Sequence, residues 1–404
     1  MLSDPAPRPP RCYEPTTPPH RDEQGVHVYD HATIKALLRD PNRVTSDVSE
    51  LLTPEERDRL HPVSSFVWAT DRRTLSGCPG RHAALRSAMA PWFAPETAAG
   101  RAGRAAEIAS AVLTDGVEDG AESGAFDAYH DYALPAAEAY LADWLGITPP
   151  DVRYAVADQL AVGDMFASWP PLATPEMDAF YRDLMARPGL TGVAAQARGM
   201  VASGVLTERE SWGVLYAISV GAVATATTAT LAVGLSLEHD RWPAPTDPGP
   251  AGRAVEEALR LGTPFPQATR TAREEFTLGD VPVHPGDQVL MWLTAANRDL
   301  PGVHETPLDG FDPERDTTAH LGWGSGYHRC GGLHHARTAA VAIVTTLARR
   351  HPDLTMAGPW KRYVGVDDGY VAAPVITLPG RPPPVPGRVR ACTTDRDQHG
   401  PRAG

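Results

Sequence analysis

His320-Leu321-Gly322-Trp323-Gly324-Ser325-Gly326-Tyr327-His328-Arg329-Cys330-Gly331-Gly332 opens a stretch that continues as Leu333-His334-His335-Ala336-Arg337. Five glycines surround the single Cys330, His328 stands two residues ahead of it, and an Ala/Val/Leu-rich helical run follows. Glycines let a backbone approach a large flat object and take positive φ without strain. A thiolate just ahead of a helix is favoured by the unpaired N–H groups of the first turn and by the macrodipole. Those are the needs of a metal-bound thiolate beside a flat group. The other common fate of a cysteine, a small buried hydrophobe, asks for none of these neighbours.

The segment from Trp323 to Gly332 resembles the cysteine-ligand loop of cytochromes P450, written F-G-x-G-x-H-x-C-x-G, with Trp323 where that family mostly has Phe. The resemblance implies a mainly α fold with small β-sheets and a haem b, iron protoporphyrin IX, whose iron is held axially by Cys330. It also implies that Trp323, Gly324, Gly326 and Gly332 lie against the haem. Gly331 and His335 depart from the aliphatic residues often found at their positions.

Further motifs follow the family's order. In RHAALRSAMAPWFAPE, His82 and Arg86 are i,i+4 neighbours on one helical face. Alone such a pair reads as a solvated face; the resemblance makes it, with Arg270 and His328, the haem-propionate set, because Arg offers carboxylates a charge-assisted fork. Glu257 and Arg260 form an E-x-x-R pair ahead of the cysteine loop, and Arg315 of Phe311-Asp312-Pro313-Glu314-Arg315 is expected to join them as a structural ion pair. Ala295-Ala296-Asn297-Arg298-Asp299 matches a family segment that serves packing and turn formation.

The long uncharged segment Ser211 to Leu237 corresponds to the helix that crosses the distal face of the haem, usually carrying A-G-x-[D/E]-T-T. One register sets Gly221-Ala222-Val223-Ala224-Thr225 there, with Ala224 in place of the acid; Thr227 and Thr228 give another. Neither register has a carboxylate. The acid and alcohol pair normally delivers protons during O–O cleavage, a task that needs a titratable or relaying group within hydrogen-bond reach. Ala224, Thr225, Thr227 and Thr228 are therefore the candidate distal residues. Thr in a helix can equally spend its hydroxyl on the carbonyl four residues back.

The chain has 404 residues, 42% hydrophobic and 22% charged, and a formal net charge of −13, a balance that argues against nucleic acid as a partner. No run approaches ~18 uninterrupted apolar residues, and the Pro-rich, polar N-terminus is neither a signal peptide nor an anchor, so a cytoplasmic, membrane-free protein is expected. The arginine bias, with only Lys35 and Lys361 as lysines, suits an actinomycete-like, GC-rich genome. Scattered Cys12, Cys78, Cys330 and Cys392 lack CxxC spacing, so neither zinc nor a disulfide framework is expected. Residues 1–24 read as an extended arm, 25–380 as one haem domain and 381–404 as a disordered tail. Strands around Gly279-Asp280 and Pro285-Gly286-Asp287 read as hairpins.

By the same resemblance, Phe66, Trp68, Phe166, Phe265 and Gln267 line a substrate pocket; Phe66, Val67 and Trp68 read equally as an ordinary buried cluster. Arg329, Arg337, Arg349 and Arg350 either face an acidic ferredoxin or form a solvated face. The expected activity is monooxygenase-like oxidative tailoring of a small aromatic or apolar metabolite, fed by ferredoxin and ferredoxin reductase, by a monomer. The missing acid keeps open non-standard haem-thiolate chemistry such as nitrene transfer, dehydration of an N–O substrate or peroxide use. A non-catalytic haem-binding role is the third reading.

Overall fold

Thr207 starts the helix around which the described chain packs. Its hydroxyl accepts the Glu210 N–H at 3.2 Å, and the Glu210 carboxylate accepts the Thr207 N–H at 2.8 Å, a reciprocal cap that satisfies two otherwise orphaned donors. The central helix then runs Glu208–Glu238, 31 residues. Its Val- and Thr-rich interior has modest intrinsic helix propensity, so burial rather than propensity holds it. By length and a mean hydropathy of 1.6 it could cross a membrane, yet 78% of that apolar window is buried inside the protein. It is a core helix, apolar all round because other helices surround it.

The computed structural model describes residues 16–45, 85–118, 125–162, 175–242, 246–300, 310–357 and 375–377. His82, Phe66, Val67, Trp68, Phe166 and the tail beyond residue 380 lie outside these residues. Four helices pack on the central one: Leu134–Leu145, Pro149–Val162, Pro248–Leu261 (the ion-pair helix) and Leu333–Arg350 (the post-loop helix). Helix Ala102–Leu113 covers the post-loop helix from the other side. Leu113, Leu145, Leu215, Val255 and Val344 are fully buried in the shared core.

A smaller β core stands beside the bundle. Its sheet has the order β1 (His20–Arg21), β2 (Val26–Val28), β8 (Gln288–Trp292), β5 (Gln267–Ala272), β3 (Val44–Thr45). The β2/β8 pair is parallel, with Val26 beside Val289 and Val28 beside Met291; the other pairs are antiparallel. These side chains pack with Ile34 and Leu37 of the helix His31–Leu37. β4 (Ala125–Asp127), β10 (Val375–Thr377) and β9 (Thr355–Met356) form a second sheet, and β6 (Phe276–Leu278) with β7 (Val281–Val283) a third.

Two expectations shift. Strand β1 lies inside the stretch read as an arm: it is extended, and its ladder to β2 places His20 and Arg21 in the main sheet. Gly279-Asp280 does close the β6/β7 hairpin, but Pro285-Gly286-Asp287 does not close a second one. The Gly286 N–H donates to Ala272 O at 2.9 Å and the Ala272 N–H to Asp287 O at 2.8 Å, so this turn hands the chain from the small sheet to β5's neighbour β8. The turn residues were legible; the partner strand was set by the ladder.

Candidate functional site: the cysteine loop and the open face of the central helix

The cysteine loop folds upon itself and is held from four sides. The Cys330 N–H donates to Trp323 O at 2.8 Å, and the Gly324 N–H to Leu321 O at 2.8 Å. Gly324 and Gly326 take φ of +71° and +67°, the left-handed region open to glycine. A Cβ on Gly326 would sit 2.2 Å from Leu38 O, so only glycine lets the loop lie on the end of the first helix. Arg39 Nε donates to Ser325 Oγ at 3.1 Å and His31 Nε2 meets Ala319 O at 2.9 Å, fastening the same side. Asn297, fully buried, accepts the Leu321 N–H at 2.6 Å. The AANRD segment is thus a strut under the loop.

The remaining sides are electrostatic. Arg86 Nη2 donates to Arg329 O at 2.9 Å. A Cβ on Gly331 would lie 2.7 Å from Arg86 Nη1, so the glycine after the cysteine makes room for this guanidinium. Cys330, the one cysteine among the described residues, is exposed at the tip of this frame, three residues ahead of the post-loop helix. Burial by surrounding protein pushes its thiol up, opposed by the Gly332 N–H and by the charges of Arg86 and Arg329. A haem-iron thiolate fits this donor set. The sulfur reaches open space, the backbone N–H and the two guanidiniums favour its anion, and a metal would supply the remaining stabilisation that desolvation removes.

Beneath the loop lies a buried ion cluster. Glu257 and Arg260 are fully buried and meet twice, Nε to Oε2 at 2.7 Å and Nη2 to Oε1 at 2.8 Å. Arg315 Nε reaches Glu257 Oε1 at 3.3 Å, and the Asp312 N–H donates to the same oxygen at 3.0 Å. Arg260 Nη1 donates to Asn297 O at 3.0 Å, so the cluster is continuous with the strut that holds Leu321. One carboxylate answers both guanidiniums, and all three side chains are buried, which is a structural arrangement.

The central helix turns one open stripe. Within its buried middle Ala217, Val220, Gly221 and Ala224 are half-buried and, at i, i+3, i+4 and i+7, share a face. Among the described residues nothing lies within 4 Å of a Cβ built on Gly221. This face carries no titratable group. Of the candidate alcohols, Thr225 and Thr227 are buried, and the buried Thr228, one turn beyond Ala224 on the same face, donates its hydroxyl to Ala224 O at 2.8 Å. The expectation that Thr228 could spend its hydroxyl on the helix backbone is met by that bond.

Other candidates are spread along the β region. Arg270 on β5 donates from Nη1 to Thr269 O at 2.7 Å, and His328 is half-buried in the loop's short helical turn. Phe265 is 52% exposed, and Gln267 Oε1 is buried without a hydrogen-bond partner among the described residues. Of the four arginines read as a charged face, three are ion-paired: Arg337 with Glu256, Arg349 with Asp247, Arg350 with Glu118. Much of that positive charge is neutralised locally.

Sequence reasoning passed over two features. Glu256, masked by its neighbour in the E-x-x-R motif, accepts three donors from around the loop. His335 is 1% exposed, stacks on Trp144 with centroids 3.7 Å apart, and sits between the Tyr140 hydroxyl and Trp92 O, each at 2.9 Å. No spacing rule announces either contact. His20, Asp22 and His27 bring three ligand-type atoms within 4.8 Å. Trp292 Nε1–H donates to His27 Nδ1 at 3.0 Å, so the His27 Nε2 carries the proton that it shares with Asp22 at 2.9 Å. Both ring nitrogens are committed, and the cluster is a hydrogen-bonded aromatic stack.

Comparison with known proteins agrees with this geometry. The family model for cytochrome P450 matches residues 252–351, which hold the ion-pair helix, the cysteine loop and the post-loop helix. The chain is 28% identical over 352 residues to the erythromycin C-12 hydroxylase of Saccharopolyspora erythraea, covering 82% of this chain and 84% of that one. It superposes with a TM-score of 0.75 and 24% identity on a structure described among unusual cytochrome P450-like monooxygenases of microbial secondary metabolism, covering 91% of this chain and 97% of the other. CxnD, described as a cytochrome P450 for C–S bond formation in chuangxinmycin biosynthesis, superposes with a TM-score of 0.73 and 23% identity over 89% of each chain. Fold, loop and relatives together support an oxidoreductase. In its cysteine-loop region, its fold and its sequence the chain is similar to bacterial cytochromes P450.

Proposed function

We propose that Cys330 is the axial thiolate of a haem b and that the enzyme carries out oxidative tailoring of a small aromatic or apolar metabolite: hydroxylation, C–C or C–N coupling, or cyclisation. The observation that carries this is the exposed Cys330 sulfur in a loop closed by its own N–H on Trp323 O, with Arg86 and Arg329 beside it. When bound, the haem supplies one-electron and dioxygen chemistry, and a thiolate ligand favours O–O cleavage. His82, Arg86, Arg270 and His328 hold the propionates. The half-buried Ala217, Val220, Gly221 and Ala224 support an apolar substrate, since they offer it contact area and no hydrogen bond. The relatives' roles in specialised metabolism support the tailoring assignment. Ferredoxin and its reductase deliver the electrons to a cytoplasmic monomer.

A second reading rests on the same helix. From Ser211 to Leu237 the chain has no carboxylate, and Thr228 has given its hydroxyl to Ala224 O. That favours chemistry that needs no protein acid on this face: nitrene transfer, dehydration of an N–O substrate, or peroxide use. In the monooxygenase reading, substrate or ordered water must hold the proton instead.

The reduced, carbon-monoxide-saturated protein tests the ligand: a thiolate-type band that vanishes in Cys330→Ser supports it, and no such band in the parent overturns it. Turnover of small molecules that perturb the Soret band then separates the reactions. Loss of turnover without dioxygen and reductant supports the monooxygenase; turnover that survives their removal supports the second reading. Tight binding with no product under any condition leaves the non-catalytic haem protein.

A further inference from the structure

We propose that Glu256 is a positioning residue that fixes Trp323 and, through it, the cysteine that the preceding reading assigns to the iron. The inference rests on that reading only for its consequence at the haem; the clamp itself consists of contacts among Glu256, His320, Trp323 and Arg337. Glu256 Oε2 accepts Trp323 Nε1–H at 3.0 Å and His320 Nε2 at 2.8 Å, while Oε1 faces Arg337 Nε at 3.2 Å. His320 is aligned for this: its Nδ1 accepts the Gly322 N–H at 3.0 Å, which leaves the proton on Nε2, pointed at the carboxylate. The carboxylate therefore receives donors from both sides of Cys330, two from the loop segment leading in and one from the helix leading out.

Two further observations make this a mechanical link rather than a surface ion pair. The same Trp323 whose indole binds Glu256 uses its main-chain oxygen to accept the Cys330 N–H at 2.8 Å. One rigid residue thus connects the carboxylate to the cysteine. The loop also lies directly on the helix that carries Glu256, since a Cβ on Gly322 would come 2.7 Å from Leu259 Cγ. That helix is anchored in turn by the fully buried Glu257 and Arg260. Desolvation opposes ionisation of Glu256, but the bonds from His320 and Trp323 and the charge of Arg337 outweigh it and hold the carboxyl below its usual range. Trp323, the departure from phenylalanine, is accounted for: phenylalanine has no donor for this carboxylate.

Glu256→Gln keeps shape and volume but replaces one acceptor oxygen by an NH2 group, which sets donor against donor at Trp323 or Arg337. Trp323→Phe keeps an aromatic ring and removes the indole donor. The test uses the full-length protein, reduced and saturated with carbon monoxide, with 15N-labelled tryptophan. The Trp323 indole resonance, assigned by its loss in Trp323→Phe, moves upfield in Glu256→Gln, and the thiolate-ligated share of the carbon-monoxide band falls several-fold in each variant. The double variant falls no further than either single one. An unmoved indole resonance, or losses that multiply in the double variant, overturns the proposal, as does a lowered melting temperature with the thiolate share unchanged. If Glu256→Gln does not fold, Trp323→Phe paired with His320→Gln answers the same question. Should the parent lack a thiolate band, the ligand reading fails, while the indole shift still reports on the clamp.

Discussion

Arg86 donates from Nη2 to the main-chain oxygen of Arg329 at 2.9 Å, so a residue from the chain's first quarter grips the one immediately before Cys330. A hydrogen bond from a charged group is worth about 1.5–3 kcal/mol. Arg86→Ala is therefore expected to weaken haem retention by roughly tenfold to a hundredfold, read as the ratio of Soret to 280 nm absorbance after gel filtration, with far-ultraviolet dichroism retained. Gly331→Ala, which would push a methyl group toward the same guanidinium, lowers the ratio in the same direction. Full haem retention in both variants would count against Arg86 as part of the haem frame.

The Glu257 carboxylate takes two donors from Arg260, one from Arg315 and one from the Asp312 backbone, all in a fully buried setting. Removing one partner of a buried pair strands the other charge, at about 3–5 kcal/mol. Glu257→Gln should lower the unfolding free energy by that amount and leave little soluble protein at 37 °C. A loss under 1 kcal/mol in chemical denaturation would contradict the burial.

His335 sets an acid limit on stability. Burial, against the Trp92 carbonyl bond and with a smaller push from Arg101, lowers its pKa from 6.5 to about 4. The unfolded chain therefore binds a proton that the folded chain refuses. The neutral ring's contribution is complete above pH 6.5 and is lost as pH falls toward 4, about 3 kcal/mol in all. Denaturation midpoints measured between pH 7 and pH 4 should show this slope, and His335→Leu should flatten it, at a cost of about 1 kcal/mol from the Tyr140 hydroxyl losing its partner. An unchanged slope in the leucine variant would assign the acid sensitivity to other groups.

A Cβ on Gly221, on the half-buried stripe of the central helix, meets nothing within 4 Å among the described residues. Gly221→Val should therefore fold, with stability within about 1 kcal/mol of the parent, since the side chain meets no described neighbour. It should cut the affinity of bulky Soret-perturbing ligands at least tenfold, while small ones such as imidazole bind as before. Equal losses for small and bulky ligands would mean that residue 221 acts on the helix rather than on the bound ligand.

The cysteine loop, the Glu257/Arg260 pair, the AANRD segment and the long central helix were legible because their short ordered motifs resemble family motifs; the structure supplies the physics behind them, glycines at positive φ, a buried i,i+3 pair and a capped 31-residue helix. The roles of Arg270 and His328 were carried by resemblance alone. Glu256 was illegible because the three groups it binds come from positions 320, 323 and 337, and no local rule relates a carboxylate to donors so far along the chain.

By itself the sequence determined the family resemblance, the candidate ligand and the absence of any carboxylate between Ser211 and Leu237. Only the tertiary structure decided which face of that helix is open, that Thr225 and Thr227 are buried while Thr228 is bonded to its own backbone, and that one carboxylate joins both sides of the cysteine loop. The physical reason is the same in each case. Residue type and spacing fix what a group can donate or accept, whereas the packing of distant segments fixes whether water, backbone or another side chain receives it.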